Sequence, residues 1–262
     1  MGVHGLRRTQ RLGPEPAQRE HRADAVLAPL AVGLADGDFH QPLLGCAVLA
    51  ALLLPVVLVL RAVPTMPVPV EETAPGGRAR LLLFGFVALF FTYVGLEGGV
   101  GSWEVTHLKD ALDISTASAA RLTALFWVSF TVGRLVSAAL ALQMPPARLV
   151  TGALVLAAVS LALATVPGAA PLAYTLAGLF LAPVFTTGLV WLTRTVPGRG
   201  ATTLVFASAF LGPVLFSPVV GAFKDAYGSP AIPVTLLGIT LLCLAVAAGP
   251  GRAVHTSRER AG

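Results

Sequence analysis

The sequence predicts an all-α membrane protein with about seven transmembrane helices, and three observations carry that expectation. The chain is 55% hydrophobic and 12% charged, with a mean hydropathy of +0.80, whereas soluble domains carry roughly 25% charged residues. Residues 149–193 contain no charged side chain, a length that accommodates two spans of about 20 residues. Basic residues collect in the short connections between apolar runs, the pattern of an orientation signal and not of a nucleic-acid surface.

Taken in order, residues 1–40 read as a poorly structured arm. It carries Arg7, Arg8, Arg11, Arg19 and Arg22, then an apolar stretch at 25–35 that is too short to span a bilayer. Residues 41–62 form the first full transmembrane helix. Residues 63–80 hold Pro64, Pro67, Pro69, Glu71, Glu72, Pro75, Gly76 and Gly77, a polar and proline-rich composition that marks a linker. A six-helix bundle occupies 81–249, with apolar runs near 81–107, 117–141, 148–166, 170–193, 201–222 and 230–249. The breaker pair Pro167-Gly168 divides the uncharged stretch into two antiparallel helices. Residues 250–262 are left as a tail.

Loop charge sets the orientation. With the last helix ending inside, the inner side holds Arg61, Arg78, Arg80, Arg148, Arg194, Arg199, Arg252, Arg258 and Arg260, and the outer side only Lys109, Arg121 and Lys224. The tail and the linker are therefore expected on the cytoplasmic side of the inner membrane.

The chemistry expected of the chain is sparse. Cys46 and Cys243 lie in apolar runs without a second thiol or a histidine at ligand spacing, so they read as core packers and no metal site is expected. There is no phosphate-binding glycine loop and no nucleophile elbow. No catalytic residue and no cofactor are expected. Instead, Glu97 stands inside the apolar run 81–103. A charge at membrane depth costs at least ~2.5 kcal/mol, so such an acid faces partner helices or a wet cavity. Arg134 is the only base within a predicted span, and residue counting places it at a different depth from Glu97. Tyr93 and Trp127 are the aromatic residues favoured for a cavity wall. Gly95, Gly98, Gly99 and Gly101 fit a bendable or unwound segment, and Gly95 and Gly99 also fit close helix packing at small-xxx-small spacing. Pro183, Pro213 and Pro218 are expected to break or soften their helices. Trp103, with Glu104 and His107, reads as an anchor at the outer interface, which leaves Glu97 and Arg134 as the intramembrane charges.

Tyr93-Val94-Gly95-Leu96-Glu97-Gly98-Gly99-Val100-Gly101-Ser102-Trp103 resembles the seventh helix of the major facilitator superfamily, in particular of its fucose-permease-like sugar carriers. Phe126-Trp127 through Gly133-Arg134-Leu135 resembles the eighth helix. Gly178-Leu179-Phe180-Leu181-Ala182-Pro183-Val184-Phe185 resembles the tenth, and Gly212-Pro213 through Pro218, Gly221 and Asp225 to Gly228 the eleventh. The resemblance implies that residues 81–249 are the carboxyl-terminal bundle of a facilitator-type transporter, a truncated half whose first five helices are missing. It also implies symport of a sugar or other small polar solute with a proton. Glu97, Tyr93 and Trp127 would then serve coupling or substrate binding, and Arg134, Gly95, Gly98, Gly99, Pro183 and Pro218 structure or gating. The expected partners are the lipid bilayer, the solute, the proton and an amino-terminal six-helix bundle in cis or in trans, with no nucleic acid. The alternative is a non-transporting membrane fragment or half-bundle subunit that needs a partner.

Overall fold

A computed structural model describes residues 77–196 and 199–259, together with Val48 and Ala51. The arm at 1–40, Cys46, nearly all of the expected helix at 41–62 and most of the linker lie outside the described residues. Six long helices follow one another: α1 (Gly77–Leu112), α2 (Thr116–Leu140), α3 (Pro146–Leu163), α4 (Ala170–Thr195), α5 (Arg199–Tyr227) and α6 (Ala231–Glu259). A single 3-10 turn, Pro167–Ala169, joins α3 to α4 at the expected breaker pair. There is no strand among the described residues, and each of the six helices is long and apolar enough to cross a membrane. Helices are the expected solution, because in hydrocarbon every backbone N–H and C=O must find its partner within the segment.

The turns show how the chain reverses. Asp113, at φ 51°, ends α1, and the Ser115 hydroxyl accepts from the Ser118 N–H at 3.2 Å to cap α2. Gly228, at φ 81°, plays the corresponding part between α5 and α6. The two corners meet where the Ser229 hydroxyl donates to Asp110.

Three features depart from the sequence reading. α1 starts at Gly77, inside the expected linker, and α6 runs on to Glu259, through the beginning of the expected tail. Helical hydrogen bonding does not stop where the apolar run stops. The prolines neither break nor end their helices, for α4 continues through Pro183 and α5 through Pro213 and Pro218. Proline removes one N–H and displaces the carbonyl four residues earlier, and neighbouring helices in a bundle accommodate the freed group. At Pro183 that carbonyl belongs to Leu179, and it is met by Gly133 of α2, where a Cβ would lie 2.5 Å from the oxygen.

α1 and α4 form the centre of the bundle. α1 packs against α2, α4, α5 and α6, and α4 packs against α1, α2 and α3. Aromatic edges lock the central pair, with Phe86 against Trp191 at 5.1 Å and Phe90 against Phe185 at 5.2 Å between ring centroids. Cys243 of α6 is buried against this core. α1 remains helical through Gly95, Gly98, Gly99 and Gly101, so these glycines serve close packing and not an unwound segment. A Cβ on Gly212 of α5 would lie 2.2 Å from the Phe91 carbonyl oxygen and 2.7 Å from the Gly95 nitrogen; a Cβ on Gly178 of α4 would lie 2.4 Å from the Phe126 carbonyl oxygen. Small residues at these crossings let backbones touch, which is how helices associate where lipid removes the usual hydrophobic drive.

Candidate functional site

α1 carries two acids on one face, seven residues and so about 10 Å apart along the axis. The inner one is Glu97, half-buried. Its carboxyl interacts with the hydroxyl of Tyr93, one turn earlier, and the charge of Arg134 from α2 reaches the same hydroxyl. Tyr93 is fully buried, and its hydroxyl donates to the Leu181 carbonyl of α4 at 3.0 Å. Three helices thus converge on one phenol oxygen. Residue counting alone separates Glu97 and Arg134 by about one turn in depth, and the charge of Arg134 still acts on Tyr93.

Arg134 lies over the Phe130 ring, with its guanidinium carbon 4.5 Å from the centroid, a cation–π contact. Its Nε is buried without a hydrogen-bond partner. Trp127 packs edge-on against Phe126 at 4.9 Å and Phe130 at 5.8 Å, and its indole rests on Gly101 of α1. The arrangement is an acid, a base and a phenol beside an aromatic wall.

Of the residues singled out in the sequence, Tyr93, Glu97 and Arg134 are brought together, and Trp127 joins them through Phe130. Gly95, Gly98 and Gly99 face the other way, toward Phe216 and Gly212, Pro213, and Leu236 with Val220 respectively. Pro183 is buried within α4, and Pro218 is exposed on α5, away from the cluster.

The second acid corrects the sequence reading. Glu104 and His107 do not face outward from the bundle: they are 1% and 3% exposed, buried between helices. The Tyr174 hydroxyl of α4 pairs with His107 Nδ1 at 3.0 Å, and Thr123 of α2 is the polar side chain nearest the Glu104 carboxyl. Glu97 and Arg134 are therefore joined by further ionisable side chains inside the bundle. Trp103 is likewise a clamp between helices: its Nε1 donates to the Ser217 carbonyl of α5 at 2.9 Å, and its ring covers Gly221. The spacing 104, 107, 110 on one helical stripe was the available signal, but the partners come from α2 and α4.

No family model matches the sequence, and no curated protein does. Among solved structures, the chain is similar to a major facilitator superfamily transporter, FucP, in the outward conformation. The TM-score is 0.64 and the identity 16%, over 81% of this chain and 54% of that one. The described helices therefore have the fold of a facilitator-type membrane transporter. The chain spans about half the length of that solved transporter.

Proposed function

We propose that this chain supplies one wall of a secondary active transporter that moves a sugar or other small polar solute together with a proton. The opposing wall would come from an amino-terminal six-helix bundle, in cis or in trans, and the two would rock about the site to give alternating access. The cell membrane is the proposed location, with the carboxyl terminus cytoplasmic.

The observation that carries this reading is the sharing of the Tyr93 hydroxyl by Glu97, Arg134 and the Leu181 carbonyl. A phenol has one proton to donate, and here it goes to Leu181, so the remaining lone pairs of Tyr93 can only accept. An ionised Glu97 has nothing to donate; a protonated one does. Protonation of Glu97 thus adds a hydrogen bond to Tyr93 within α1, beside the bond from Tyr93 to α4, and deprotonation strengthens the attraction for Arg134 on α2. A ligand or proton that discriminates between two such arrangements shifts their populations. Trp127, only partly buried, offers the solute an apolar face.

The test is uphill uptake by a carrier in which this bundle is joined to an amino-terminal bundle. Glu97→Gln is expected to abolish accumulation driven by a pH gradient while leaving the protein inserted and folded. Undiminished uphill uptake by the Gln variant would leave Glu97 a structural role only.

A further inference from the structure

Two turns above Glu97, both carboxylate oxygens of Glu104 and the hydroxyl of Thr123 are buried with no hydrogen-bond partner. Glu104 is 1% exposed, Thr123 is 1% exposed, and neither belongs to the Tyr93–Arg134 cluster. The groups facing this carboxyl are Thr123 from α2 and Tyr174 from α4, whose hydroxyl is held by His107 of α1. Asp110, one turn beyond His107, acts on that imidazole from the exposed end and is tied to Ser229 at the α5–α6 corner. No lysine or arginine is among the groups acting on Glu104 among the described residues.

An ionised carboxylate buried without a cation or a hydrogen-bond donor carries a large desolvation cost. The neutral acid removes the charge, and its O–H can donate to Thr123 Oγ1, a bond that satisfies one carboxyl oxygen and the threonine oxygen. We infer that Glu104 is a second proton-binding site, separate from Glu97. One proton from water forms the O–H bond on the Glu104 carboxylate. The site lies on the same face of α1 as Glu97, two turns nearer the Lys109 end.

Infrared difference spectroscopy of the complete 262-residue chain in liposomes reads this without any transport assay, so its outcome is separable from the uptake test of Glu97. The wild-type protein is expected to show at neutral pH a carboxylic-acid C=O band that Glu104→Gln removes. Thr123→Val should keep that band and move it to the frequency of a free acid. Identical neutral-pH spectra in the acid region for the wild type and Glu104→Gln, or loss of a carboxylate band instead, would overturn the inference. Where Glu104→Gln fails to insert, an unmoved band in Thr123→Val does so.

Discussion

Glu97 was legible because a carboxylate inside an apolar run has few explanations, and the run identifies its depth without any structure. What surrounds it was not legible. Arg134 was set aside by residue counting, and only the backbone path of α2 brings its side chain to the hydroxyl that Glu97 engages. Glu104 and His107 were misplaced for a related reason: near the end of an apolar run a charged residue ordinarily meets headgroups, and the burial comes from Thr123 and Tyr174 on other helices. At this scale the Tyr93 hydroxyl gives a measurable quantity. Tyr93→Phe removes the bond to the Leu181 carbonyl, and that carbonyl is free to keep its helical partner, so the expected loss is about 0.5–1.5 kcal/mol, read as a small drop in apparent melting temperature in detergent. A cycle of Glu97→Gln and Arg134→Gln should be non-additive, by roughly 0.5 kcal/mol or more, since both act on one group. Strict additivity would separate the two residues.

The helices themselves were read correctly from apolar length, yet their joints were not. Glycines in α1 admitted two explanations, and the choice depended on what stands opposite: α5 presents Gly212 and Pro213, so backbone meets backbone and the helix stays wound. Of the two effects expected of the prolines, breaking does not occur, because a local rule about missing donors says nothing about the neighbour packed at the site, as Gly133 is beside Pro183. Gly212→Ala therefore forces α1 and α5 apart against main-chain atoms, and a loss of about 1–3 kcal/mol is expected, as for other overpacked contacts. Gly238→Ala on α6 meets nothing within 4 Å and serves as the control, within ~0.5 kcal/mol of the wild type. Comparable losses at both sites, in matched melting curves, would show that the α1–α5 crossing is not tight.

For the whole molecule, successive helices joined by short turns separate the charges by end. Lys109, Arg121 and Lys224 lie at the end that carries the α1–α2 and α5–α6 corners, and Arg148 and Arg194 at the other. Cysteines at positions 109 and 224 are accordingly expected to label from outside, and a reporter after Gly262 to be active in the cytoplasm; inverted labelling would reverse the orientation. The outward faces of α2 and α5 are apolar, with Leu125, Val128, Val132 and Leu135 on one and Phe210, Leu211, Val214 and Leu215 on the other. Lipid or a second bundle can cover such faces equally well. The central claim is that this bundle is a single wall, and that a polar solute beside Glu97 needs an opposing wall to be enclosed. Solute uptake into liposomes under an imposed pH gradient tests it most directly, with the 262-residue chain alone and with the same chain joined to an amino-terminal bundle. The account predicts saturable, gradient-driven uptake only for the joined protein. Saturable uptake by the chain alone, with cross-links defining a specific homodimer, would contradict it.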